Sequence, residues 1–179
     1  NIVTQNYTSS HLDAFFARYP LFSSYDPSAP ATTEFRRMCR FFRWGGYDDE
    51  KRKARELFQD ALTQEFNEIY GTDVNKLASW QALCRILEIS PVPDKLKECR
   101  AVVRQTHVNI VDLVDTQRTS ERVNVFPSAL ELSVYTKETE KYFPRENAYA
   151  GGLLRYLLRQ IMNPESAGPS GEGETRRGR

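Results

Sequence analysis

The chain has little cysteine, and its spacing excludes the usual roles of clustered cysteines. Among 179 residues there are three, Cys39, Cys84 and Cys99, and no two of them form a Cys-x-x-Cys pair. An odd number without such a pair argues against a disulfide framework and against a zinc site. All three lie within amphipathic segments, so we expect buried free thiols in a reducing compartment.

Long apolar runs are also missing. No stretch approaches the roughly 20 apolar residues that cross a bilayer, and no charged start is followed by an apolar segment. We therefore expect no membrane partner and an intracellular protein of the cytoplasm or nucleus. Because the chain begins at Asn1 and not at Met, a truncated or processed start stays open as an alternative.

Recognisable catalytic motifs are absent. There are two histidines, His11 and His107, and no nucleophile elbow, His-Glu-x-x-His or phosphate-loop sequence occurs. At the junction of two apolar stretches, a hydrogen-bonded His107 is favoured over a general base. Asp112 and Asp115 share a helical face, which we expect to be solvated and not a metal site. The sequence thus predicts a non-enzymatic protein without catalytic residues, metal or cofactor.

Apolar residues are abundant and recur at helical spacing. Hydrophobic residues make up 40% of the chain, with ten Phe and nine Tyr, which is enough to build a core. The strongest pattern runs from 54 to 70 and ends at Gly71, a typical helix C-terminal residue. We predict a mainly all-α fold, an irregular bundle of six or seven helices with at most one small β element. A short strand near 122–126 is the candidate, although no pairing partner is evident.

The domain organisation follows from the same patterns. We predict an extended arm over 1–8, a single helical domain over 9–162, and a disordered tail with a basic end over 163–179. Between 102 and 114 the apolar pattern either continues one helix or begins another, capped by Asn109. The predicted core residues are Phe15, Phe35, Met38, Phe42, Leu57, Phe58, Leu62, Phe66, Trp80, Leu87, Val103, Leu153, Leu157 and Ile161.

Several short motifs, in this order and spacing, resemble a recurrent domain of fungal proteins. They are Tyr70-Gly71-Thr72-Asp73, Trp80-Gln81, His107-Val108-Asn109, Phe143-Pro144 and Gly151-Gly152-Leu153-Leu154-Arg155. The resemblance covers most of residues 11–161. It implies one unit of conserved length and a fungal source, and it carries no activity, cofactor or site.

A basic and aromatic cluster over residues 34–55 is the most informative local feature. This segment contains eight basic and four acidic side chains, so its formal net charge is +4, and aromatic residues lie between the charged ones. The spacing of Arg36, Arg40 and Arg43 places them on one side of a helix. The candidate partner-binding residues are Arg36, Arg40, Arg43, Trp44 and Tyr47.

Three interpretations of this cluster are open. The favoured one is a solvated face or pairing with acids of the following helix, for which the candidates are Glu56, Asp60, Glu65 and Glu68. The others are contact with an acidic protein partner and contact with nucleic acid, whose phosphates attract arginine and whose bases stack on aromatic rings. We predict a protein-interaction module with an unknown protein partner. The alternative is a nucleic-acid-binding domain that uses Arg36, Arg40 and Arg43.

Overall fold

Eight α-helices and one two-stranded sheet make up the part of the chain that the computed structural model describes, residues 9–162. The predicted arm and tail, 1–8 and 163–179, lie outside that part. The prediction of a mainly helical fold with one small β element is confirmed, with at least one helix more than expected. The elements are α1 (His11–Ala17), α2 (Ala31–Phe41), α3 (Asp49–Tyr70), α4 (Leu77–Ile86), α5 (Leu96–Arg104), β1 (His107–Val108), α6 (Ile110–Thr119), β2 (Val125–Phe126), α7 (Ala129–Thr139) and α8 (Gly152–Met162).

The segment around Asn109 forms a separate helix and does not extend α5. The Asn109 side chain accepts hydrogen bonds from the backbone N–H groups of Val111, at 2.9 Å, and Asp112, at 3.3 Å. These bonds satisfy two of the free donors at the start of α6. The residues just before Asn109 form β1, which pairs antiparallel with β2. The strand predicted near 122–126 therefore has its partner at 107–108.

The hydrophobic core is centred on α3, which packs against α1, α4 and α6. Leu62, Phe66 and Trp80 are fully enclosed. The predicted core is confirmed for eleven of its fourteen members, since Phe42 and Leu57 are only partly buried. The side chain of the fourteenth, Ile161, lies outside the described residues. No helix within 9–162 has both the length and the apolar character that a bilayer crossing requires.

Two buried carboxylates join helices that are far apart in sequence. Glu65 of α3 accepts a hydrogen bond from the backbone N–H of Leu12 at 3.1 Å, and Asp115 of α6 accepts one from Ala31 at 2.9 Å. Each therefore caps the first turn of another helix, where free N–H groups and the helix dipole favour a negative charge. The starts of α1 and α2 are thus fixed by tertiary contacts.

The expectation of a solvated face at Asp112 and Asp115 is wrong. Asp115 is 4% exposed, while Asp112 accepts hydrogen bonds from Lys141 Nζ and the Tyr135 hydroxyl, both at 2.7 Å. Burial lowers the pKa of Lys141, but the bonds to Asp112 and Tyr135 more than offset this and raise it above its usual value. The physical reason is that α6 is enclosed by other elements around most of its circumference, so its polar residues need partners inside the protein.

Candidate functional site

A cavity of about 540 Å³ lies at the basic cluster, and we name it the basic pocket. Residues of α2, of the first turns of α3 and of the segment after α7 line it. Phe35, Cys39 and Phe58 are its buried apolar lining. Its cationic residues are Arg36, Arg40, Arg43, Lys51 and Arg55, and Glu140 is the acidic residue that lines it.

The way in which α2 ends places Arg43 at this pocket. Phe42 is the C-terminal cap, and Arg43 follows with φ of 55°, in the left-handed region. The backbone N–H of Trp44 then bonds to the carbonyl of Cys39 at 3.0 Å, which is a common way to end a helix. Glycine usually occupies the left-handed position, because a side chain there costs roughly 1 kcal/mol. Arg43 holds it nonetheless, and its side chain lines the pocket.

Stacked rings form the aromatic part of the pocket lining. Trp44 stacks on Phe42 with ring centroids 4.8 Å apart and contacts Tyr19 edge-on at 5.8 Å. Phe35 and Phe58 stack at 4.6 Å. The contacts with Phe42 and Tyr19 hold the Trp44 ring in one orientation, so the pocket presents a preformed apolar surface beside its cations.

The structure brings together four of the five candidate residues. Arg36, Arg40, Arg43 and Trp44 all line the basic pocket. Tyr47 does not, because it lies in the connection to α3 and is fully exposed. Lys51 and Arg55 were in the basic cluster but not among the candidates. Their spacing of four residues, which places them on one face of α3, is the signal that indicates them.

The expectation that acids of α3 pair with the cluster is confirmed for Arg52, which lies 3.9 Å from Glu56. It is wrong for the candidate arginines, of which Arg36 pairs instead with Glu140 at 3.1 Å. Within residues 9–162, Arg40, Arg43, Lys51 and Arg55 form no ion pair. The four α3 acids have other partners, which are Arg52 for Glu56, Asn147 for Asp60, Leu12 N–H for Glu65 and His11 for Glu68. The basic pocket thus carries surplus positive charge.

Cys39, in the pocket lining, is not an activated nucleophile. Burial raises the pKa of its thiol, and the nearby charges of Lys51 and Arg55 reduce that effect without reversing it. The thiol is therefore protonated at neutral pH, whereas the thiolate is the reactive form. The pocket offers charge and apolar contact to an anion, which is the chemistry of binding.

A second cavity of about 850 Å³ lies among α4, α5, α6, α7 and α8, and we name it the apolar cavity. His107, predicted to be a junction residue, lines it, and most of its other lining residues are apolar. Gln59 and Tyr142 line both cavities, so the two are neighbours. Within the described range 9–162, no cluster of three or more His, Cys, Asp or Glu side chains is arranged to hold a metal ion.

Comparison of the chain with protein-family models, with curated proteins and with solved structures gave no match. The resemblance to a fungal domain stays a prediction that no finding tests. Any functional proposal therefore rests on the geometry of the two cavities.

Proposed function

We propose that this chain is a non-enzymatic protein-interaction module that binds an acidic segment of a partner protein in the basic pocket. One observation carries the proposal. Arg40, Arg43, Lys51 and Arg55 converge on one concave site without pairing with any carboxylate of residues 9–162. Such a concentration of positive charge attracts anions and speeds their association.

The pocket lining favours a peptide carboxylate as the anion. Arginine binds carboxylates through two parallel hydrogen bonds. Buried aromatic rings beside the cations suit the apolar side chains that flank acidic residues in a binding segment. A volume of about 540 Å³ lies within the usual range for sites that enclose a ligand. An acidic segment with one or two apolar anchors fits both parts of the pocket.

The charge distribution supports a protein partner over nucleic acid. A single-stranded nucleic acid binds along an extended basic groove with successive stacking rings, whereas these cations surround one pocket. Four further basic residues, Lys95, Lys97, Arg100 and Arg104, do not line this pocket. Lys95 pairs with Glu98, and Arg100 donates hydrogen bonds to the Val74 carbonyl and to Asn75.

The location we propose is the cytoplasm or nucleus. All three cysteines are buried free thiols, and free thiols persist in reducing compartments. This proposal rests on cysteine chemistry alone.

Binding of a synthetic acidic peptide tests the function. The peptide carries Glu and Asp around a Leu and a Phe, and two probes accompany it, the same peptide with Gln and Asn and a single-stranded oligonucleotide of similar charge. The chain has two tryptophans, of which Trp80 is fully buried and Trp44 lines the pocket. Their fluorescence reports binding, and Trp44→Phe identifies the signal from the pocket.

Charge-matched variants locate the site. The combined Arg40→Gln, Arg43→Gln and Arg55→Gln variant is expected to weaken peptide binding by about tenfold or more, or 1.4 kcal/mol. The control removes three exposed charges outside the pocket, at Lys76, Arg85 and Lys97, and is expected to weaken binding by less than about threefold, since remote exposed charges are screened by salt. Equal losses in both variants, or tighter binding of the oligonucleotide than of the peptide, would contradict the proposal.

A further inference from the structure

The apolar cavity combines a buried apolar floor with an exposed cationic rim. Leu83, Ile110 and Leu157 are among the floor residues, and each is at most 4% exposed. The residues of its rim that carry positive charge, Arg104, Lys137 and Arg145, are exposed. Polarity therefore changes from the inside of the cavity to its mouth.

Negative charge is absent from the residues that line this cavity. None of them is Asp or Glu. The one cation there with an acidic partner is Lys141, which is bonded to Asp112. Within the part of the chain that the structure describes, Arg104, Lys137 and Arg145 form no ion pair. An anion at the mouth would meet cations on α5, on α7 and in the segment after α7.

We propose that the apolar cavity binds a small amphiphile of the long-chain carboxylate class. The hydrocarbon chain lies on the floor, and the carboxylate lies at the mouth beside Arg104, Lys137 and Arg145. The volume of about 850 Å³ is within the usual range for small-molecule sites, which bury most of a ligand in mainly apolar surroundings. Burial of the chain supplies affinity, and the cations fix its direction.

The lining of the cavity suits such a chain. Residues of five helices, α4 to α8, contribute to it, and an apolar floor with cations at one end matches a hydrocarbon chain whose polar atoms are all at one end. This site has its own cations and does not depend on the basic pocket, with which it shares only Gln59 and Tyr142. The inference therefore goes beyond the proposed function, and each is tested without the other.

Calorimetric titration with a series of carboxylates tests the chain part of the proposal. The probes are octanoate, decanoate and dodecanoate, each used below its micelle concentration. Affinity is expected to rise about fourfold for each added methylene, the transfer effect of burying one such group, until the chain fills the cavity. Decanol, which is neutral and of the same chain length, is expected to bind about tenfold more weakly than decanoate.

Two adjacent positions of α7 provide matched variants. Ser133 lines the cavity, whereas its neighbour Val134 is exposed and does not. Ser133→Trp fills the mouth and is expected to lower decanoate affinity by about tenfold or more, and Val134→Trp to change it by less than about twofold. Thermal unfolding checks both variants, and Thr136→Phe, at another lining position, replaces Ser133→Trp if that variant does not fold.

The rim cations are tested separately. Lys137→Gln combined with Arg145→Gln is expected to weaken decanoate binding by about tenfold and to leave decanol binding unchanged. The control is Lys76→Gln with Lys97→Gln, two exposed positions outside the lining. The proposal is overturned if no carboxylate binds at 1 mM, roughly the weakest affinity of interest. Equal binding by wild type and the filling variant, or by decanoate and decanol, also overturns it.

Discussion

Three carboxylates lie in the interior of this molecule, whereas the cations of the basic pocket lie at its surface. Glu34, Glu65 and Asp115 are between 1% and 9% exposed, and each accepts a backbone N–H from another segment. Most cations of the basic pocket, by contrast, lie at the surface and form no ion pair with a described residue. The formal net charge of +1 conceals this separation.

The separation has an energetic reason. A buried N–H group left without an acceptor costs about 1–3 kcal/mol, whereas an exposed ion pair contributes about 0–1 kcal/mol. Acceptors at the starts of α1 and α2 therefore matter more to stability than additional pairs with surface arginines. The three acids that serve as interior acceptors are not available to the cations of the basic pocket.

The largest effect that we predict is the pH dependence of stability that arises from the buried carboxyl group of Asp115. Burial raises the pKa of Asp115 from 3.8 to about 6, and the hydrogen bond from Ala31 N–H only partly opposes that shift. Because the folded-state pKa is the higher one, stability present below about pH 4 is lost as the pH rises through about 6. Asparagine does not titrate, so from pH 4 to 7.5 Asp115→Asn is expected to gain about 2.4 kcal/mol relative to wild type.

Urea unfolding of both proteins at the two pH values measures this gain. The control is Asp94→Asn, at an exposed position, which is expected to differ from wild type by less than about 0.5 kcal/mol at either pH. A difference between Asp115→Asn and wild type that does not change with pH would show that Asp115 is solvated in solution.

Two acids of α3 provide the second test. Glu65 bonds to the Leu12 N–H in the interior, whereas Glu68 is exposed beside His11. Glu65→Ala leaves a buried N–H without an acceptor and is expected to lower the free energy of unfolding by about 1–3 kcal/mol. Glu68→Ala is expected to change it by less than about 0.5 kcal/mol. If urea unfolding shows that both variants lose the same free energy of unfolding, the distinction between interior and surface carboxylates is wrong.

The pocket arginines should have little effect on stability. Arg40, Arg43 and Arg55 have no carboxylate partner within 9–162, so their combined change to Gln is expected to alter the free energy of unfolding by less than about 1 kcal/mol. A loss above about 2 kcal/mol would mean that these arginines stabilise the fold through contacts within the protein. Thermal and urea unfolding of the triple variant decide this.

The smallest expected effect concerns the thiols. Cys84 and Cys99 have no exposed surface and Cys39 is 8% exposed. Burial raises the pKa of Cys84 to about 11, and the neighbouring Cys99 thiol adds to that shift. A thiol reagent at neutral pH is therefore expected to label native protein very slowly and all three residues after denaturation. Rapid labelling of native Cys84 would contradict the packing of α4 against α5.

Local patterns predicted the helices and the side of α2 that carries the arginines, because both depend on spacing within a few turns. The helical stripe around Leu62 and the pair Arg36 and Arg40 are of this kind, whereas Arg43 lies beyond the end of α2 and reaches the pocket through its left-handed backbone. The roles of Glu65 and Asp115 were not predictable, because their partners are 53 and 84 residues away. The partners of Asp60, Glu65 and Glu68 are also distant in sequence, so the sequence could not show which cations of the cluster remain unpaired.

Chemical-shift mapping of the acidic peptide tests the central claim most directly. In a titration of isotope-labelled protein, the backbone signals of Arg40, Arg43, Trp44 and Lys51 are expected to shift together and saturate, while those around Lys95 and Lys97 stay in place. Raising the salt concentration is expected to reverse the shifts, since exposed charges are screened. Shifts that spread over all basic segments, or that centre away from the basic pocket, would contradict the account.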